Sequence, residues 1–538
     1  MELLESGLSG ILAEKWNIQR LNSLQEKCLR EVLRDNADPV VQAPTGSGKT
    51  LAYVLPLLQL LCGRKRQWKR WEVGAVVLVP SRELASQVVE VVRPLASHLG
   101  LATALFVGGV KIKRDLARFR FQGGNVLVAT PGKLAELLSA SGENDVLRGH
   151  VKSVEMLVID EADRFAEAGF QNSLSTILPY IPKQRRTGLY SATQCDDLEE
   201  MLRFGMRSPK RITATDADVV ATSADTRAFC EPAATMLPAA VRLHYAVVDA
   251  ADKTSALLNF LDEHSTCKLL VFLSSGACVD YFCAWLKRVA GGHDDDRLLL
   301  ALHGKKGGQR TKLLQRFRQR RGGAVLLSTD VLSRGIHIED VDWVVHFDLP
   351  KVSSWFVHRS GRSGRNGRQG SALLLLTRDE SAYIDYLQRS VPGLEFSRLH
   401  IQADGAQTLA AMRRVASTDR DFLEKGTRAF VSFLQALMKR DTTLLCGLKD
   451  YDVVGTAHAF GLLRMPRMAE LSGRDLSAFK RAELSTASVP YTDAAREQQR
   501  LQNLRETRRE PWRGRERRRR RLRGRNSPYE KVESWQDF

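Results

Sequence analysis

The chain has 538 residues, more than a single hydrophobic core sustains, and its length alone implies about two to four domains. Hydrophobic residues at 43% and charged residues at 27% are ordinary for folded proteins and exclude a chain disordered throughout. The 81 Lys and Arg against 62 Asp and Glu give a net charge of +19, which favours a polyanionic partner such as nucleic acid without naming it. The cysteines at 28, 62, 195, 230, 267, 278, 283 and 446 include no Cys-x-x-Cys pair and no metal-ligand spacing with His, as expected of reduced thiols inside a cell. The first ten residues lack the basic-then-apolar pattern of a secretory signal. The longest apolar stretch, from Leu51 to Cys62, is too short to span a bilayer, so no membrane partner is expected.

In chain order, short runs rich in Val, Leu and Ile occur at Val40 to Val41, Ala75 to Val79, Val126 to Ala129, Met156 to Ile159 and Leu189 to Tyr190. A second series follows at Leu269 to Leu273, Leu298 to Leu302, Ala324 to Leu327, Trp343 to Phe347 and Ala372 to Leu376. Runs that are apolar throughout suit strands buried on both faces of a parallel sheet, and their alternation with amphipathic stretches predicts two α/β domains. From about 213 to 240 the chain is rich in Ala, Thr, Ser and Asp, with Pro232 and Pro238, which is linker composition. Past about residue 395 the strand pattern stops, and Phe430, Phe433, Leu434 and Leu437 recur at helical spacing. Their apolar face must be covered, and the sequence leaves open whether the second domain or a partner does it. The run from Arg513 to Arg525 carries too much like charge to pack and is expected to be disordered until it meets an anion; RNA binding and nuclear import are both open to it. The expected boundaries are 1–220 for the first domain, 221–240 for a linker, 241–395 for the second, 396–480 for a helical extension and 481–538 for an Arg-rich disordered tail.

Ala43, Pro44, Thr45, Gly46, Ser47, Gly48, Lys49 and Thr50 follow one buried run and precede a helical stretch, the context that a phosphate-binding loop requires. Its glycines leave backbone N–H groups free to cradle phosphate oxygens at a helix N-terminus. Lys49 is expected to reach the β and γ phosphates of ATP, and Thr50 to offer its hydroxyl to Mg2+. Asp160 ends the run that begins at Met156, at the carboxyl end of a strand, where open α/β sheets bind ligands. A carboxylate there can hold Mg2+ through water, and Glu161 next to it can polarise an attacking water. Further on, Arg359, Arg362 and Arg365 recur every three residues among Ser and Gly. If Arg362 and Arg365 stabilise charge on a γ-phosphate held by the first domain, hydrolysis requires both domains and is coupled to motion.

With these come further motifs in order: Pro80 to Ala85 (PSRELA), Gly108 and Gly109, Thr130 to Lys133 (TPGK), Asp160 to Asp163 (DEAD), Ser191 to Thr193 (SAT), Ser328 to Asp330 (STD), Ser333 to Gly335 (SRG) and His358 to Arg365. The series, from about residue 15 to 395, resembles a DEAD-box RNA helicase of superfamily two. The resemblance implies two RecA-like domains that bind ATP and RNA. It also implies RNA contacts at Arg82, Gly109, Thr130 and Gly132 in the first domain and Thr329 in the second. Ser191 and Thr193 would link the ATP state to unwinding, and Gln25 would read adenine. RNA would be held by backbone and sugar rather than by base sequence. The stretches Phe422 to Gly426, Ala429 to Phe433, Ala459 to Met468, Pro182 to Gly188 and Ala277 to Tyr281 resemble the subgroup that assembles the large ribosomal subunit. That resemblance implies pre-ribosomal RNA as substrate, ribosome-assembly proteins as partners, a nucleolar location in the nucleus, and a monomer outside the particle.

The sequence departs from the family pattern at the base and sugar end of the nucleotide. Asn22 and Ser23 replace the usual Thr-Pro before Gln25, and the aromatic that stacks on adenine would, by family spacing, precede residue 1. Trp16 reads as a helix aromatic facing a core rather than its substitute. Ser81 stands for the usual Thr and Lys133 for the usual Arg, each keeping a polar group. Gly308 and Thr311 replace a Gln and an Arg, leaving Arg310 or Lys312 as alternatives for one RNA contact. His337 stands where the family carries an acid that bonds the ribose. An RNA helicase is the leading reading; a nucleotide-gated RNA clamp with little turnover, and a DNA helicase, remain open. Replacing His337→Asp should tighten ATP binding and remove its dependence on pH between about 6 and 8, where imidazole titrates. A nucleotide titration across that range checks this, and unchanged affinity would contradict it.

Overall fold

The computed structural model describes residues 4, 6–43, 47–63, 67–141, 146–166, 168–192, 206, 208–214, 240–290, 297–304, 310–332, 341–364, 369–391, 393–443 and 445–509. Two compact units emerge, the first mainly Met1–Ala240 and the second Val241–Val331 with Ile338–Ser390 and Leu394–Phe538. In the first, seven parallel strands are β1 (Asp38–Gln42), β2 (Ala75–Leu78), β3 (Thr103–Phe106), β4 (Val126–Ala129), β5 (Met156–Asp160), β6 (Arg186–Ser191) and β7 (Pro209–Thr213). Their order is β3-β4-β2-β5-β6-β1-β7. The second unit repeats the plan with β8 (Val241–Val248), β9 (Lys268–Phe272), β10 (Leu298–Leu302), β11 (Ala324–Ser328), β12 (Trp343–His346), β13 (Gly370–Thr377) and β14 (Phe396–Arg398), in the order β10-β11-β9-β12-β13-β8-β14. All ten apolar runs read from the sequence fall on these strands, those ending at Val79, Leu273 and Phe347 running one residue past the strand end. The central ones, β2, β4, β5, β9 and β11, are buried at every residue because helices cover both faces.

The strands without such a run are β3, β7, β8 and β14. β3, β7 and β14 are edges or short, and β8 is half-buried with Arg242, His244 and Tyr245 in it, so partial burial tolerates polar residues there. β14 also corrects the expectation that strands end by about 395: three residues pair with β8 beyond that point. Apart from Ala240, the expected linker at 221–240 lies outside the described residues.

The helical extension shares one core with the second sheet. Phe430, Phe433, Leu434 and Leu437 of the helix Arg420–Leu437 are buried together with Val271, Val325 and Leu373 of the strands. Tyr281, on the helix Gly276–Ala290, is the hinge of this contact. Its ring lies 4.9 Å from Phe422 and parallel to Phe460, and its hydroxyl donates to the Phe460 carbonyl at 2.6 Å. A Cβ on Gly426 would stand 3.1 Å from the same ring, so a larger residue there would push the ring by a few tenths of an ångström. The second unit therefore covers the apolar face that the sequence left unassigned.

Polar bonds lock the same junction. Glu380, fully buried, accepts from Lys253 Nζ and from Arg440 Nη1 of the extension, each at 2.8 Å. One residue on, the Asp441 carboxylate accepts from the Ser353 N–H at 2.7 Å and its hydroxyl at 3.1 Å, while the Asp441 N–H donates to the Lys351 carbonyl at 2.9 Å. The extension thus braces the loop entering the helix Trp355–Ser360, which leads to Arg362. Order also continues past 481, where the Arg-rich tail was expected to begin. The helix Ala494–Arg509 follows Tyr491, whose hydroxyl donates to Glu424, and Arg496 pairs with Asp421 at 2.6 Å. Acidic residues of the extension offset part of the like charge of this segment and tether its start, while most of the described helix side chains stay exposed. The run from Arg513 to Arg525 lies outside the described residues.

Burial alone would raise the Glu380 carboxyl, but Lys253 and Arg440 outweigh it and hold the group down at about 2, against 4.5 when unfolded. Its stabilising contribution is therefore complete above about pH 4.5 and is lost as pH falls toward 2. Glu380→Gln should cost about 3 kcal/mol, because it leaves two buried cations without their acid. Denaturant melts of the variant at neutral pH check this, and an unchanged midpoint would contradict it.

Candidate nucleotide and RNA site

The first unit gathers its candidate residues at the carboxyl ends of β1, β5 and β6. Ala43 follows β1 and its N–H donates to the Ser191 carbonyl at 3.0 Å, joining the start of the phosphate loop to the end of β6. Gly48 caps the helix Lys49–Cys62 in the left-handed region, φ 82°, which a side chain would strain. Lys49 reaches back across the loop, and its Nζ donates to the Ala43 carbonyl at 2.7 Å. Pro44, Thr45 and Gly46 lie outside the described residues, as do Thr193, His337 and Arg365.

Asp160 ends β5, buried at 4% exposure. Its Oδ2 accepts from the Tyr53 hydroxyl at 3.0 Å and its Oδ1 from the Glu161 N–H at 2.9 Å. Burial, then the neighbouring Glu161, raises its carboxyl to about 6, and Lys49 only partly offsets this. An anion so poorly solvated favours a cation beside it. Tyr53 is itself pushed well above its ordinary value, by burial first and by Asp160 second, so it stays a neutral donor. Its ring meets the Tyr190 ring edge-on at 5.1 Å. Glu161 has φ 55° in a buried position, a strained conformation for a residue with a side chain, and such strain concentrates at working sites.

The segment before the loop repairs its own departure from the family. Asn22 caps the helix Ser23–Leu33: its Oδ1 accepts from the Gln25 N–H at 2.9 Å, while its own N–H donates to Gln25 Oε1 at 3.1 Å. The Asn22 Nδ2 also donates to the Ser47 carbonyl at 2.9 Å, and Gln25 Nε2 to the Gly48 carbonyl at 3.4 Å. These bonds fix which end of the Gln25 amide is which and leave it one N–H and one lone pair, a pairing that matches the edge of adenine. Trp16 packs half-buried against the first core, as read from the sequence.

A second group lies at the ends of β2, the loop after β3, and β4. Ser81 caps the helix Arg82–His98 with its hydroxyl on the Leu84 N–H at 3.2 Å. Arg82, its first residue, lies so close to Gly109, φ 88°, that a Cβ there would stand 2.5 Å from its Nη1. Thr130 and Gly132 open the helix Pro131–Ser139, and nothing stands within 4 Å of a Cβ on Gly132, an open surface. Lys133 is 3% exposed; it donates to the Val110 carbonyl at 2.7 Å and pairs with Asp115 and Glu136. It holds the loop that carries Gly109.

In the second unit, Thr329 follows β11 half-buried. Asp330 next to it accepts from Arg359 Nε at 2.6 Å, and Arg359 donates as well to the Asp348 carbonyl at 2.7 Å, fully buried over the Phe272 ring. The first arginine of the three is thus internal. Arg362, 3% exposed, donates from Nε to the His358 carbonyl at 3.2 Å. Tyr53 and Asp441 carry no signal in the sequence: each sits in a helical or turn stretch with nothing to separate it from core or surface, whereas Lys133 was marked by its motif but not as the residue that holds the Gly109 loop.

Residues 22–201 match the DEAD/DEAH box helicase family, 252–367 the helicase conserved C-terminal domain, and 419–468 the ATP-dependent rRNA helicase SPB4-like C-terminal extension. The ATP-dependent RNA helicase DDX55 of Mus musculus is 40% identical over 482 residues, 88% of this chain and 77% of that protein. The chain belongs to the DEAD-box family of ATP-dependent RNA helicases. The Homo sapiens DDX55 is 39% identical over 478 residues, again 88% of this chain and 77% of that protein. A structure of Mss116p bound to ssRNA and AMP-PNP shares the fold, with a TM-score of 0.71 over 86% of this chain and 89% of that one at 21% identity. Two sheets of RecA-like type and the helical extension are what this DEAD-box chain was expected to have.

Asn22→Ala should remove both the helix cap and the tie to Ser47, costing about 1 kcal/mol of local order and weakening ATP binding by about fivefold. Titration with a fluorescent ATP analogue measures this; full affinity in the variant would contradict the role given to Asn22.

Proposed function

We propose that the protein uses ATP hydrolysis to open short duplexes in pre-ribosomal RNA while the large ribosomal subunit is assembled in the nucleolus. The observation that carries this reading is the extension. The stretches that resemble the large-subunit subgroup, Ala277 to Tyr281, Phe422 to Gly426 and Ala459 to Met468, meet one another around Tyr281, so they are one structural unit rather than scattered likenesses. The relatives named above carry RNA helicase activity in their names, and the extension's family is described as that of an rRNA helicase.

In this mechanism Lys49 leaves the Ala43 carbonyl for the phosphates of ATP, and Gly48 with its neighbours offers backbone N–H groups to the same oxygens. Thr50 and Asp160 fit a magnesium ion, because Asp160 is a buried carboxylate that a dication would stabilise. The ion would offset charge on the phosphates. Glu161 orients the attacking water, and Arg362 with Arg365 stabilises charge that develops in transfer. Arg362 and Arg365 belong to the second sequence half, so hydrolysis that uses them needs both halves of the chain. Arg82, Gly109, Thr130, Gly132 and Thr329 hold RNA by its backbone, with ribosome-assembly proteins as neighbours in the particle.

Glu161→Gln should retain ATP and RNA and reduce hydrolysis about 100-fold or more. Crosslinking in cells then separates the readings. The variant should accumulate on large-subunit precursor RNA at sites where the unaltered protein is only transient. Crosslinks spread over unrelated RNA would overturn the ribosomal assignment, and equal residence of both forms would favour a clamp.

A further inference from the structure

A polar notch of about 270 Å³ lies in the second unit, where the extension meets the loop after β12. Lys351, Trp355, Ser275 and Asp330 form one side of it, and Gln435 with Lys439 of the extension the other. The acid among them, Asp330, is committed to Arg359. Lys351 and Lys439 are both exposed, and neither ammonium group has an ion-pair partner among the described residues. Two like charges facing one cavity repel each other, and an anion in the notch relieves that repulsion. The arrangement is also held in place. Asp441 bonds the Lys351 carbonyl and Ser353, which fixes the loop against the extension two residues beyond Lys439. Asp330, on the wall of the notch, immediately follows Thr329, the RNA contact proposed for this unit.

We infer that this notch is a second RNA subsite: Lys351 and Lys439 take a backbone phosphate of the strand that leaves Thr329, and the Gln435 amide takes a ribose 2′-hydroxyl. The amide can both donate and accept, as a 2′-hydroxyl requires. The notch is too narrow for a duplex, so it admits one strand. Because half of its wall belongs to the extension, RNA held here would be gripped by a segment outside the two helicase domains. The effect would be a longer footprint on the strand. Two lysines would also suit an acidic polypeptide, but continuity with Thr329 favours RNA. The inference rests on reading Thr329 as an RNA contact, and the test separates the two.

The test uses the full chain with a non-hydrolysable ATP analogue and single-stranded RNA of about 6 and about 12 nucleotides, with the double variant Lys351→Glu and Lys439→Glu and the single variant Thr329→Ala. Both lysines are on the surface, and an unchanged melting temperature confirms that the double variant is folded. The longer RNA should bind about tenfold more weakly to the double variant, with the salt slope shallower by about one, while the shorter RNA binds within about twofold. Thr329→Ala should weaken both lengths. If the double variant binds the longer RNA normally while Thr329→Ala weakens both, the notch is not on the RNA path and an acidic protein segment becomes its candidate occupant. If Thr329→Ala also binds both normally, the RNA reading of Thr329 fails, and the proposal with it.

Discussion

Asp160 is a carboxylate kept from water at the end of a strand buried on both faces, and the catalytic half of the molecule is arranged around that constraint. Its two oxygens are taken by the Tyr53 hydroxyl and the Glu161 N–H, and burial still raises it to about 6. β5, buried at every residue, carries this charge at its end, and the helix Lys49–Cys62 brings Tyr53 to it. Glu161 adopts a strained backbone as the chain leaves the strand, so that both acids occupy one small region. A buried carboxylate raised in this way is stabilised by any cation placed beside it.

The second constraint is the junction between extension and sheet. Phe422, Phe430, Phe433 and Phe460 form a common core with the strands, and the Glu380 triad and Asp441 fix its polar edge. The loop so braced opens the helix that leads to Arg362, and Arg359 in that helix anchors the turn after Thr329. Residues remote in sequence therefore set the position of Arg362 and of the turn that follows Thr329. Loss of the extension would uncover an apolar surface and release this loop at the same time.

Much of this was legible because buried parallel strands are apolar along nearly their whole length and because phosphate chemistry demands particular residues at particular spacings. β2, β4, β5, β9 and β11 announced themselves in this way, and the motif spacing also placed Lys49 and Thr50 at a helix start and Asp160 at a strand end, where the structure has them. The half-buried strands β3, β7, β8 and β14 did not, since partial exposure admits polar residues and breaks the run. Asn22 looked like a loss and proved to be a cap and a tether, because its amide can bond in two directions where a sequence comparison sees only a missing Thr. Tyr53 was hidden in an apolar helix, and its role is visible only once β5 lies beneath it. Residues 481–509 were expected to be disordered by charge, but Asp421 and Glu424 on a helix far upstream supply the opposite sign.

The account makes one machine of phosphate loop, buried acids and RNA surface. The most direct measurement follows a short labelled RNA duplex and the release of phosphate together, using the full chain with ATP, with a non-hydrolysable analogue and without nucleotide. The account predicts that phosphate release is slow without RNA and accelerated by it, and that strands separate repeatedly only when ATP is present. Strand separation at the same rate without nucleotide, or phosphate release indifferent to RNA, would contradict it.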